Sequence, residues 1–149
     1  MHIAEGRNSS FSHSLETTAA PENIWRLWTD VTTWSAWDGG LKSATLDDAF
    51  EMGAEGKIIP HRGSIVPFTV TGLAPETSST FVTKLPFARL VIERSLMPLP
   101  DNNGTRFTHH VSFTGPLREI WGLVLGRGFR KELPLTMAKL AKLAESKQP

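Results

Sequence analysis

The chain has 149 residues, no cysteine and a formal net charge of +1. This composition excludes disulfides, thiol catalysis and Cys-ligated zinc, and the lack of a dense basic patch argues against a nucleic-acid partner. The length predicts a single domain, residues 1–149, and with neither a secretory leader nor a membrane span in the sequence we expect a cytoplasmic location.

Two short helices are predicted to follow a first strand. The stretch FSHSLET, residues 11–17, alternates apolar and polar side chains, as a half-buried strand does. In PENIWRLWTD, residues 21–30, Pro21 suits the first helical turn and the apolar side chains recur with helical spacing. The stretch VTTWSAWD, residues 31–38, indicates a second short helix or turn.

Six further strands are predicted before a long C-terminal helix. Bounded by Gly, Pro or Asn/Asp, they cover residues 41–48, 56–61, 64–73, 78–85, 88–99 and 105–115. The turn at residues 101–104 is expected to use Asn103 and Gly104, which accept positive φ. Because strands joined by short turns pair antiparallel and their apolar face must be covered, we expect the helix to lie across the sheet.

The predicted helix extends from about Leu117 to Glu145, with a kink at Pro134. Its apolar stripe is expected to contain Leu117, Ile120, Trp121, Val124, Leu125 and Phe129, and then Leu133, Met137, Leu140, Leu143 and Ala144. Three glycines interrupt the helix, at Gly122, Gly126 and Gly128. Each costs about 1 kcal/mol relative to alanine, so we interpret them as room for close packing or for a ligand.

Three stretches in their order resemble a known family: TTAAPENIWRLWTDVTTWSAWD, GTRFTHHVSFTGPL and a terminal helix that ends LAKLAE. Together they are similar to the polyketide cyclase/dehydrase-like branch of the START/Bet v 1 (SRPBCC) superfamily, from Ser10 to about Glu145. The resemblance implies an α+β helix-grip fold, in which a curved seven-stranded antiparallel sheet surrounds the long helix and leaves a deep apolar cavity. Members bind lipids, steroids or polyketides, and no family-wide catalytic motif can be transferred to this chain.

Four of the five tryptophans lie between residues 25 and 37. Trp25 and Trp28 are three residues apart, as are Trp34 and Trp37, so each pair lies roughly on one helical face. Because short helices are marginal in water, we expect the large rings to supply the burial that holds this segment. Trp28 and Trp34 are predicted to be core residues, Trp25 to be half exposed, and Trp37 to be a candidate cavity wall.

Two histidines are the candidates for catalysis. His109 and His110 are adjacent in a strand, so they point to opposite faces, and only His109 lies on the apolar one. His13 shares the apolar face of the first strand. A general acid or base role for His109 or His13 is chemically reasonable near neutral pH; the alternative is a core histidine that a backbone or hydroxyl group satisfies. The sequence contains no HExxH or paired carboxylates, so neither a metal nor a cofactor is predicted.

Aromatic and aliphatic side chains with few polar groups among them favour a ligand cavity. The predicted lining consists of Trp37, Phe68, Phe81, Phe87, His109, Phe113, Trp121, Leu125 and Phe129. The charged strand residues are expected to face solvent on the convex side; they are Lys84, Arg89, Glu93, Arg94 and Arg106.

Three functions are compatible with this sequence. The first is the binding of a hydrophobic, aromatic or lipid-like small molecule in the cavity. The second is a cyclase or dehydratase-type enzyme that uses a cavity histidine, without metal or nucleotide cofactor. The third is a protein-interaction domain that acts through its C-terminal segment, residues 117–149, where seven Lys and Arg outnumber three Asp and Glu. The sequence indicates no particular ligand and no oligomeric state.

Overall fold

Seven strands and three α-helices form the part of the chain that this computed structural model describes, residues 9–146. Residues 1–8 and 147–149 of the predicted domain lie outside the described part. The strands are β1 Ser10–Thr17, β2 Leu41–Leu46, β3 Glu55–Pro60, β4 Val66–Ala74, β5 Ser78–Leu85, β6 Ala88–Pro98 and β7 Thr105–Thr114. The helices are α1 Pro21–Thr29, α2 Trp34–Trp37 and α3 Arg118–Ser146, with 3-10 turns at Val31–Thr33 and Pro100–Asn102.

All seven strands belong to one antiparallel sheet in the order β1-β7-β6-β5-β4-β3-β2. The short turns between consecutive strands from β2 to β7 produce this order, and β1 then pairs with the free edge of β7. Register shifts occur in β2 between Leu41 and Ser43 and in β4 between Val70 and Gly72. Such irregularities bend a strand and increase its twist, and the sheet curves around α3. The predicted helix-grip fold is confirmed.

Helix α3 packs mainly against β1 and β7, with further contacts to β6, α1 and α2. It begins and ends within one residue of the prediction, and it is helical at every residue, Pro134 included. Two hydrogen bonds hold its C-terminal end: Thr17 donates its hydroxyl to Glu145 over 2.5 Å, and Asn23 donates its amide to the Ala144 carbonyl over 3.4 Å. The helix is therefore fixed to both β1 and α1 at this end.

The buried face of the first half of α3 differs from the predicted stripe. Ile120 and Val124 are 54% and 64% exposed, whereas Gly122 and Gly126 are buried. Because a glycine lacks a side chain, the helix can lie close to its neighbours along this face, and the larger residues are turned to the flanks and to solvent. The apolar side chains of this half are thus divided between the core and the surface.

The turn between β6 and β7 also differs in detail from the prediction. Positive φ angles occur at Asp101 (59°), Asn102 (56°) and Gly104 (117°), while Asn103 has a φ of −85°. Asparagine and aspartate tolerate this left-handed region better than most residues. The turn residues were therefore predicted correctly as a group, but the positive φ was assigned to the wrong asparagine.

Candidate functional site: a cavity under the long helix

A cavity with two lobes lies between the concave face of the sheet and α3. The first lobe, about 300 Å³, extends over β6 and β7, and the second, about 330 Å³, extends toward β3, β4 and β5. Both lobes are lined by Asp38, Gly40, Ile92, Arg94, Leu125 and Phe129. Since the lining is mostly apolar with a few convergent polar groups, it has the composition typical of a small-molecule site.

Four of the predicted site residues line this cavity. His109 lies in the first lobe and Phe81 in the second. Leu125 and Phe129 project from successive turns of α3 and line both lobes. These four come from three separate elements, β5, β7 and α3, and only the packing of α3 on the sheet brings them together.

Three other predicted residues are buried in the core next to the cavity rather than in its lining. Phe68 stacks on Trp34 with ring centroids 5.4 Å apart. Trp37 contacts the edge of the same Trp34 ring at 6.3 Å, and Phe113 contacts Phe129 at 6.4 Å. Each therefore supports a lining side chain from behind.

The prediction that Phe87 lines the cavity is wrong. Phe87 is 75% exposed and has a φ of 56°, because it lies in the turn between β5 and β6, where the alternation of the strands no longer holds. Trp121 does not line either lobe; its indole N–H donates to the Pro86 carbonyl over 2.9 Å. This bond braces the start of α3 against the same turn.

The tryptophan cluster packs beside the cavity, and Trp34 lines the second lobe. Trp28 and Trp34 are fully buried and Trp25 is half buried, as predicted. Trp34 packs on two phenylalanines that also contact each other, with ring centroids 5.4 Å from Phe68 and 5.3 Å from Phe81, and its indole donates to the Trp28 carbonyl over 3.1 Å. These contacts attach the two short helices to the sheet.

A row of polar residues crosses the concave face of the sheet. His13 of β1, His109 of β7, Arg94 of β6 and Ser79 of β5 lie directly opposite one another in successive strand pairs. Residues that are opposite in an antiparallel pair have their side chains on the same face. The row therefore places two histidines, a cation and a hydroxyl side by side within an otherwise apolar surface.

His109 is a neutral, hydrogen-bonded member of this row. It is 2% exposed, and its Nε2 accepts the indole N–H of Trp28 over 3.1 Å. Burial lowers the pKa of His109 well below its usual value, and the positive charge of Arg94 and the neighbouring His13 lower it further. The ring is neutral at pH 7 with its proton on Nδ1, since Nε2 is an acceptor. The partner is an indole, not the backbone or hydroxyl group considered from the sequence.

Arg94 was predicted to face solvent on the convex side, and this prediction is wrong. It is 5% exposed on the concave face, because it shares the parity of Ile92 and Leu96 in β6, whereas Arg89 and Glu93 have the opposite parity. The alternation of β6 is the signal in the sequence that Arg94 shares a face with Ile92 and Leu96. Sequence reasoning thus missed a charged residue of the sheet that lines both lobes.

The Arg94 guanidinium lies among three aromatic rings. Its central carbon is 4.8 Å from the Trp34 ring centroid, 4.9 Å from that of Phe81 and 5.1 Å from that of Trp37. Such contacts attract a cation to the negative ring faces. Burial lowers the pKa of Arg94 to about 10, and the charge of Asp38 partly opposes this shift. Arg94 is therefore still charged at neutral pH.

Comparison with known proteins agrees with this architecture. The family described as polyketide cyclase / dehydrase and lipid transport matches residues 9–145. The chain belongs to this family. No curated protein matches the sequence of this chain. Within residues 9–146, no helix has the length and hydropathy that crossing a membrane requires, and no group of three or more His, Asp and Glu is arranged to hold a metal ion.

Several solved structures of low sequence identity share this fold. Protein MLL2253 from Mesorhizobium loti is 19% identical with a TM-score of 0.75, over 94% of this chain and 99% of that one. Norcoclaurine synthase from Thalictrum flavum is 9% identical with a TM-score of 0.70, over 93% and 94%. The di-domain ARO/CYC StfQ of the steffimycin biosynthetic pathway is 11% identical with a TM-score of 0.75, over 95% and 52%.

Proposed function

We propose that the protein binds an apolar small molecule in the cavity under α3. The observation that carries this proposal is the pair of adjoining lobes, about 300 Å³ and 330 Å³, whose shared apolar walls are Ile92, Leu125 and Phe129. Removing apolar surface from water contributes about 25 cal/mol per Å². A ligand that contacts both the sheet and α3 would remove apolar surface from water on two of its faces, and both would contribute to the binding free energy.

Catalysis is a second candidate, because two similar structures are named as a synthase and as an ARO/CYC of a biosynthetic pathway. The geometry supports it less than it supports binding. His109 is uncharged at neutral pH and its Nε2 is already bonded to Trp28, so it lacks the free, near-neutral imidazole that general acid and base catalysis favours. The interaction-domain hypothesis stays a prediction; Arg127, Lys131 and Lys139 of its basic segment are exposed, and Lys147 lies outside the described residues.

Binding can be tested with N-phenyl-1-naphthylamine, an uncharged dye whose fluorescence rises in apolar surroundings. We expect saturable binding to the wild-type protein. Leu125→Glu places a charge on the wall that both lobes share, and we expect it to weaken dye binding at least tenfold, since a carboxylate there must remain solvated. The matched control is Leu123→Glu, two residues away on the same helix and exposed to solvent.

The comparison between the two variants decides the proposal. If the Leu125→Glu and Leu123→Glu proteins bind the dye equally well, the dye does not occupy this cavity and the proposed site is wrong. If the wild-type protein shows no saturable binding at all, the proposed function itself is contradicted. Circular dichroism of both variants establishes that each has kept its fold.

A further inference from the structure

We propose that Arg94 makes this cavity selective for apolar ligands that carry a single carboxylate, with the carboxylate bound to the guanidinium and the apolar body in the two lobes. The inference rests on the proposed function of the cavity and specifies the class of ligand. Arg94 lines both lobes and is therefore within reach of a ligand in either one.

The first argument is the hydrogen-bonding state of the polar row. Within residues 9–146, the buried side-chain nitrogen and oxygen atoms that lack a hydrogen-bond partner are Nε and Nη1 of Arg94 and Oγ of Ser79. These two residues are directly opposite each other in β5 and β6. Buried polar groups are nearly always paired, and unpaired ones call for a specific explanation. A ligand with acceptor oxygens at this point would supply the missing partners.

The second argument is the kind of neighbours that Arg94 has. The rings of Trp34, Trp37 and Phe81 stabilise its charge and restrict its position, but they accept no conventional hydrogen bond from its N–H groups. An oriented guanidinium presents its donors as a planar fork that matches the two oxygens of a carboxylate. The aromatic rings therefore hold the guanidinium in place and leave its N–H groups available to donate to an anionic ligand.

The acidic groups of the cavity indicate how much negative charge it accepts. Asp38 lines both lobes, yet it forms no ion pair within 4.0 Å with Arg94 in the described part of the chain; its Oδ1 accepts the Gly40 N–H over 3.0 Å. Glu132 lines the first lobe. The charge of Arg94 attracts an anion, while the two acidic side chains repel a dianionic phosphate more strongly than a monoanion. This balance favours a carboxylate.

The test compares three probes of equal chain length, decanoate, decanol and decylamine, by displacement of N-phenyl-1-naphthylamine. We expect the wild-type protein to bind decanoate about tenfold to hundredfold more tightly than decanol, the range for a hydrogen-bonded charge pair, and decylamine most weakly. Arg94→Met should abolish the preference by weakening decanoate and leaving decanol unchanged. Arg89→Met, on the exposed face of the same strand, should change neither.

A second variant changes affinity in the opposite direction. Asp38→Asn removes a negative charge that competes for Arg94 and keeps an oxygen for the Gly40 N–H, so we expect tighter decanoate binding with decanol unchanged. Arg94→Lys, which keeps the charge but not the planar fork, should lie between wild type and Arg94→Met.

The outcomes separate this inference from the proposed function. If decanoate and decanol displace the dye from the wild-type protein with equal affinity, carboxylate selectivity is overturned while apolar binding stands. If the preference survives Arg94→Met, the selectivity belongs to another residue and the inference is wrong. If neither the dye nor any decyl probe binds, both proposals fail together.

Discussion

The indole N–H of Trp28 donates to Nε2 of His109 over 3.1 Å, and this bond joins α1 to β7 of the sheet. The two rings also pack at a centroid distance of 5.7 Å. A protonated His109 would have no lone pair for the indole and would place a second cation beside Arg94, its register partner. The native structure therefore depends on an uncharged imidazole at this position.

This relationship predicts an acid sensitivity with a definite sign. Because the pKa of His109 is lowered in the native state, the unfolded chain binds a proton below about pH 6.5 that the folded chain does not. The contribution of neutral His109 to the unfolding free energy is therefore complete above that pH and is lost as the pH falls. Between pH 7 and pH 5 we expect His109 to account for up to about 2 kcal/mol of lost unfolding free energy.

Urea denaturation at both pH values measures this contribution. His109→Gln should show a smaller decrease in stability than the wild-type protein between pH 7 and pH 5. His110→Gln, which removes a histidine from the opposite face of β7, is the control. Parallel pH dependence in the wild-type and His109→Gln proteins would mean that His109 is not the group responsible.

Replacement of the buried Trp34 should destabilise the protein much more than replacement of the half-buried Trp25. Trp34→Ala removes the ring that stacks on both Phe68 and Phe81, and we expect a loss of about 3–5 kcal/mol. Trp25 contacts Trp28 by its edge at 6.2 Å and is partly exposed, so Trp25→Ala should cost clearly less. Equal, small losses of unfolding free energy in denaturant melts would contradict the role of the tryptophan cluster in attaching the short helices to the sheet.

A larger side chain at Gly128 of α3 should reduce the volume of the first lobe. It lines that lobe, and a Cβ placed on it would meet no other atom within 4 Å. We expect Gly128→Leu to weaken binding of N-phenyl-1-naphthylamine by filling the lobe, without loss of stability, because leucine favours helices more than glycine by up to about 1 kcal/mol. Arg127→Leu, exposed and outside the lining, is the control. Unchanged dye affinity would show that the first lobe is not used.

Gly104 is required by both its conformation and its surroundings. It has a φ of 117°, and a Cβ there would overlap the backbone of Thr17 and Thr18. Gly63 has a φ of 94° but open space around it, so Gly63→Ala should cost only the backbone strain, about 1–2 kcal/mol. We expect Gly104→Ala to lower the melting temperature much more than Gly63→Ala does. Similar values for both would show that the turn can move away from β1.

The order and type of the elements could be predicted because they depend on local patterns. Period-two alternation in β7, from Thr105 to Thr114, and the helical spacing after Leu117 are visible within a few residues of the chain. The turn residues bounding each strand could be located for the same reason. Where a local rule was interrupted, the prediction failed: Phe87 lies in a turn, and in α3 the buried face contains Gly122 and Gly126 while Ile120 and Val124 are exposed.

The composition of the site, by contrast, depends on contacts between residues distant in sequence. Alternation alone determined that Arg94 and Glu93 face opposite sides of β6, but only the pairing of the sheet and the position of α3 decided that Arg94 is on the buried side. The same packing brought Trp28 to His109 across 81 positions of the chain. Periodicity fixes which residues share a face; burial, charge and hydrogen-bond partners follow from what that face is packed against.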